Sequence, residues 1–152
     1  MGNGRTTSGR DGLLRVLLVE DVEDDALLIV RVLRRAGFAV EWLRVATRVD
    51  LARALAGQSW DVVTCDWVMP DLDPRSAIEL IRTEAPGLPL IAVSGERRDE
   101  VVIGALRAGA RHFVGKDHLV LLAPIVEAVL CEGDRRGACR RETPLMLVAQ
   151  RR

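Results

Sequence analysis

Lysine is almost missing from this chain of 152 residues. Of its 22 basic residues 21 are arginine, and the one lysine is Lys116. Tyrosine is absent, and two Phe and three Trp make up the aromatics. So few rings exclude a stacking platform for single-stranded nucleic acid. Twenty-two acids balance the bases, so no net field draws the chain to nucleic acid or to a membrane surface. No apolar run reaches bilayer length; the best, Leu119 to Leu130, is broken by Pro124 and Glu127. The three cysteines, Cys65, Cys131 and Cys139, lack metal-ligand spacing. Their odd number, with no secretory leader in view, predicts reduced thiols and a cytoplasmic location. The opening Met1-Gly2-Asn3-Gly4-Arg5-Thr6 fits a short myristoylation pattern, but the Gly/Ser/Thr/Arg composition reads more simply as a flexible leader over residues 1–13.

What is present is a regular alternation of strand and helix signals. Arg15 to Val19 is a short apolar run stopped by acids, as expected of a strand buried on both faces. Asp24 or Asp25 is the expected cap of a helix running to Ala36, with Gly37 as its C′ residue. Ala39 to Val45 reads as a second strand, and Thr47 as the cap of a helix ending at Gly57. Asp61 to Cys65 is the third strand, with Asp66 at its end. Met69 to Pro74 is a loop, and a helix follows from about Arg75 to Glu84. Leu88 to Val93 is the fourth strand, ending at Ser94-Gly95. Asp99 is the expected cap of a helix reaching Gly109. His112 to Val114 is the fifth strand, and a last helix covers about Leu121 to Cys131. Five apolar strands alternating with five helices predict an α/β fold, a doubly wound parallel sheet with right-handed crossovers. The domain is expected over residues 14–132. A tail over 133–152 follows, rich in arginine and containing Pro144-Leu145-Met146-Leu147-Val148.

In such a sheet ligands bind beyond the carboxyl ends of the strands. Glu20-Asp21, Asp66, Ser94 and Lys116 all fall at those ends. Three converging carboxylates repel one another unless they hold a hard cation, and ligation by oxygen alone suits Mg²⁺ better than zinc. A carboxylate beside Mg²⁺ can attack phosphorus and form an acyl phosphate. A lone ammonium and a hydroxyl are suited to hold the oxygens of the transferred group. His112 and His118 are too few and too differently placed to form a phosphate-donating module. Arg97-Arg98 read as a solvated loop near the site.

These residues resemble the receiver domain of two-component response regulators over about Leu14 to Glu132. Asp66-Trp67-Val68-Met69-Pro70 is similar to the family's phosphoacceptor segment, with Asp66 as acceptor. Glu20-Asp21 is similar to its acidic pair. The resemblance implies Asp21 and Asp66 as direct Mg²⁺ ligands, with the Val68 backbone carbonyl, and Glu20 through water. It also implies Ser94 as the hydroxyl after strand four, Lys116 as the lysine after strand five, and Ser94 with Phe113 as the switch pair. The implied fold is flavodoxin-like, with strand order 2-1-3-4-5. The implied partners are a sensor histidine kinase or phosphotransfer protein and an unknown downstream protein, with a second copy of the chain as a further candidate. No turnover of an external substrate is implied.

Two positions depart from the family. Pro74 follows Asp73 where glycine is common, so the backbone there cannot take positive φ. Asp117 follows Lys116 where proline is usual, which predicts a rearranged connection. The Lys116-Asp117-His118-Leu119 ending resembles receivers that stand alone or accompany sensor kinases. A phosphorylation-independent interaction module is the alternative reading. A phosphatase built on Asp71-Leu72-Asp73 is weaker, because those acids lie in a loop.

Overall fold

The computed structural model describes residues 13–138, with side chains through Glu132. The strands are β1 (Leu14–Val19), β2 (Val40–Val45), β3 (Val62–Asp66), β4 (Leu90–Ser94) and β5 (His112–Gly115). The helices are α1 (Glu23–Arg35), α2 (Arg48–Gly57), α3 (Pro74–Glu84), α4 (Asp99–Ala108) and α5 (Leu122–Ala138). The strands form one sheet in the order β2-β1-β3-β4-β5, with every pair parallel.

Side-chain alternation along β1 explains the layering. Leu14, Val16 and Leu18 point to one face and meet Ala26, Ile29, Val30 and Leu33 of α1 with Leu122, Val126 and Val129 of α5. Leu17 and Val19 point to the other face and meet Leu51 and Leu55 of α2 with Ala77, Ile78 and Ile81 of α3. A strand covered on both faces has no use for polar residues, so it reads as a continuous apolar run. Each such aliphatic side chain contributes about 1.5–3 kcal/mol when fully buried. Right-handed crossovers send the chain from β1 to one side and from β3 to the other. The reversal opens a crevice between the ends of β1 and β3.

The local signals hold in part. Thr47 caps α2 by accepting a hydrogen bond from Asp50 N at 3.1 Å. Gly37 follows α1 with φ 106°, a conformation that suits glycine. The caps expected at Asp24 or Asp25 and at Asp99 are not formed. Val22 and Arg98 hold those cap positions without a side-chain bond, and the acids lie in the first turns, where they face the positive end of the helix dipole. Pro74 opens α3 as the first residue of the helix, where its missing N–H costs nothing, and Asp73 caps it by accepting from Arg75 N.

After β5 the chain makes a 3-10 segment, Lys116–Leu121, with a kink at His118. All described peptide bonds are trans. This is the rearranged connection that Asp117 predicts. α5 runs to Ala138, past the expected end at Cys131. The leader up to residue 12, and residues 139–152 with Cys139, lie outside the described residues.

Candidate functional site

Glu20 and Asp21 leave the end of β1, Asp66 ends β3, Ser94 ends β4 and Lys116 follows β5. The structure brings Glu20, Asp21, Asp66 and Lys116 together. One carboxylate oxygen from each of Glu20, Asp21 and Asp66 lies within 4.8 Å of the others, a spacing that can hold a metal ion. Glu20 is 1% exposed and Asp66 6% exposed, while Asp21 is half-buried. Two buried carboxylates this close are unfavourable unless cations or hydrogen bonds offset them.

Both kinds of compensation are visible. Glu20 Oε2 accepts from Val22 N at 3.1 Å, and Asp66 Oδ1 accepts from Val68 N at 3.0 Å. The Lys116 ammonium stands between the acids, with Nζ at 3.1 Å from Glu20 Oε1 and 3.1 Å from Asp66 Oδ2. Its shortest contact is with Asp25 Oδ2, at 2.7 Å.

Glu20 Oε1 is buried and has no hydrogen bond, because the ammonium beside it is not aligned to donate. Such an orphaned oxygen, in an all-oxygen cluster at the crevice, fits a hard divalent cation. Burial first, and then the charge of Asp66, push the Glu20 carboxyl up to about 7, against the pull of the Val22 N–H and Lys116. The Lys116 pKa is raised as well. Burial acts to lower its pKa, but hydrogen bonds to Asp25 and Asp66 outweigh that and raise it. The ammonium is therefore charged at every physiological pH.

Ser94 is fully buried, and its Oγ accepts from Glu96 N at 3.0 Å. It pairs in register with Gly115, the residue before Lys116. Phe113 is partly buried against the cluster under α2 and α3. Val68 is 55% exposed, on the rim. Asp71 and Asp73 stay outside the cluster: Asp71 is exposed and Asp73 is spent on capping α3. The phosphatase reading loses its motif accordingly. A cavity of about 450 Å³, bounded by Trp60, Leu88 and Val129 among others, lies at the opposite ends of the strands.

Arg97 is more than a solvated loop residue. Its Nε is 3.6 Å from Asp117 Oδ1, and its stem lies on Gly115, where a Cβ would collide with Arg97 Cδ. Asp25 is a first-turn acid of α1 but not its cap, and it also reaches Lys116. No local spacing signals this contact, which joins residues 91 apart.

The response regulator receiver domain pattern matches residues 16–123. The swarming motility regulation protein RssB of Serratia marcescens is 28% identical over 103 residues, covering 68% of this chain and 46% of RssB. The sensory/regulatory protein RpfC of Xanthomonas campestris is 28% identical over 123 residues, covering 78% of this chain and 16% of RpfC. The chain thus spans less than half the length of these relatives. Among solved structures, the receiver domain of the sensor histidine kinase PA1611 of Pseudomonas aeruginosa, with magnesium coordinated in its active site cleft, aligns with a TM-score of 0.67 at 26% identity. That alignment covers 78% of this chain and 98% of the neighbour. A receiver domain protein of Methanospirillum hungatei aligns with a TM-score of 0.69 at 23% identity, over 82% of this chain and 98% of the neighbour. With the matched pattern covering most of the chain, on a five-stranded sheet of order 2-1-3-4-5, the protein belongs to the response regulator receiver domain family of two-component signalling.

Proposed function

We propose that this receiver accepts a phosphoryl group on Asp66 from a histidine kinase or phosphotransfer protein. The observation that carries the reading is Lys116 Nζ at 3.1 Å from Asp66 Oδ2, beside the Glu20–Asp21 pair at the crevice. In the proposed step an Asp66 carboxylate oxygen attacks the phosphorus of a partner's phosphohistidine in line. The phosphorus–nitrogen bond breaks, its electron pair leaves with the imidazole, and an acyl phosphate forms. Asp21, Asp66 and the Val68 carbonyl, with Glu20 through water, would hold Mg²⁺, which when bound neutralises charge on the transferring group. Lys116 supplies a fixed positive charge to the phosphoryl oxygens, and the Ser94 hydroxyl turns from Glu96 N to donate to one of them.

Release of the Glu96 contact loosens the loop before α4, and Phe113 follows Ser94 inward. The outward signal is a changed surface on α4, β5 and the segment before α5. Ile103, Leu106, Val120 and Leu121 are exposed there, apolar area that a downstream protein or a second copy would cover. No helix among the described residues is long and apolar enough to cross a membrane. Cytoplasmic residence is supported by the free thiols of Cys65 and Cys131.

Intact mass after incubation with a small-molecule phosphodonor and Mg²⁺ tests the proposal. Wild type should gain one phosphoryl group, and Asp66→Asn or chelator should abolish the gain. Uptake by Asp66→Asn at the wild-type yield overturns the acceptor assignment. No uptake by wild type favours the phosphorylation-independent module, to which Asp117 in place of the usual proline also points.

A further inference from the structure

We propose that Asp25 is a positioning residue for Lys116, holding its ammonium in the resting receiver and opposing its transfer to a phosphoryl group. This inference rests on the phosphoacceptor reading of Asp66. An ammonium has three N–H donors. Lys116 directs them at three carboxylates: Asp25 Oδ2 at 2.7 Å, Asp66 Oδ2 at 3.1 Å and Glu20 Oε2 at 3.4 Å. The shortest contact is thus to the one acid outside the group able to hold a cation.

Asp25 has no competing employment. It sits in the first turn of α1 but does not cap it, since Val22 holds the cap position. Among the described residues, Lys116 is the one side-chain partner of its carboxylate. The contact joins residues 91 apart in sequence, so it ties α1 to the segment after β5.

The consequence follows from counting acceptors. A cation on Glu20, Asp21 and Asp66 takes up lone pairs that Lys116 uses in its absence, and Asp25 is untouched. Asp25 therefore keeps the ammonium when the cation arrives. A phosphoryl group on Asp66 places new acceptors further out than the Asp66 carboxylate itself. Lys116 reaches them by turning, at the expense of its Asp25 contact. The pair thus stabilises the unphosphorylated state relative to the phosphorylated one.

The test uses the full chain and beryllofluoride, a tetrahedral phosphoryl mimic, at saturating Mg²⁺. Binding is followed by tryptophan fluorescence, since Trp67 adjoins Asp66. Asp25→Asn should tighten beryllofluoride binding about fivefold, the scale of a partly exposed ion pair. Asp25→Ser should act in the same direction, and Asp25→Glu should return the affinity toward wild type. Asp24→Asn is the control for charge alone, because Asp24 is exposed on the same turn; it should leave the affinity unchanged. Equal affinities for Asp25→Asn and wild type, equal effects of the Asp24 and Asp25 substitutions, or weaker binding by Asp25→Asn would each overturn the proposal. If wild type binds no beryllofluoride with Mg²⁺, the phosphoacceptor reading falls and takes this one with it. Wild-type binding with an unmoved Asp25→Asn removes this inference alone.

Discussion

Four side chains carry a titratable group into partly or wholly dry surroundings, and they are handled in three ways. Glu20 and Asp66 are answered by Lys116. Cys65, buried next to Asp66, keeps its proton, because burial and the charges of Asp66 and Glu20 all raise its pKa. Such a thiol is inert. His112 on β5 has a buried Nε2 without a hydrogen-bond partner. Burial lowers its pKa from the ordinary 6.5, the Arg111 charge adds to this, and Glu132 opposes it. The native state therefore holds His112 neutral under conditions where the unfolded chain takes up a proton. Stability from this group is intact above pH 6.5 and is lost as pH falls below it, because the unfolded state then binds more protons. Urea midpoints at pH 7 and pH 5 should lie closer together for His112→Gln than for wild type. An equal spread in the two proteins would show that His112 titrates alike when folded and unfolded.

Helix ends show how far short-range signals reach. Thr47 and Asp73 look like caps and act as caps, each accepting a backbone N–H. Asp25 and Asp99 carry the same chemical signal but sit one or more positions inside their helices, because the strand ends fix where each helix begins. Asp73→Ala should cost about 1 kcal/mol in denaturant unfolding. Asp99→Ala, which loses only a favourable charge at the helix N-terminus, should cost about 0.3–1 kcal/mol, toward the lower end because the site is exposed. If Asp99→Ala is the more damaging of the two, the assigned cap positions are wrong. Pro74 teaches the same lesson. It stands where the family commonly has glycine, and its fixed φ suits the first position of α3.

At the scale of the whole molecule, the clustered acids Glu20, Asp21 and Asp66 are, in the proposed function, ligands for a cation. A ligand that binds only the folded state stabilises it by mass action, about 2.7 kcal/mol at 100 times its Kd. Mg²⁺ in excess over chelator should therefore raise the urea midpoint, and Asp21→Asn should erase most of the difference. Identical midpoints in Mg²⁺ and chelator would argue that the acids hold no cation. The sheet makes this possible by bringing residues 20, 66 and 116 to one crevice, although long stretches of chain separate them.

Composition and periodicity determined a great deal without help. Five apolar runs with helical stretches between them leave few arrangements besides a doubly wound sheet, because strands dry on both faces need helices on both sides. Polar residues at the ends of those runs marked Glu20, Asp21, Asp66, Ser94 and Lys116, since parallel strands deliver their carboxyl ends to one edge. Tertiary structure alone decided where the one lysine rests. Its reach to Asp25 depends on how α1 packs beside the chain leaving β5, a contact across 91 residues that local patterns do not encode. The same holds for Arg97 lying over Gly115: the loop after β4 meets the end of β5 because the two strands pair in register, and the missing Cβ leaves room for the arginine stem.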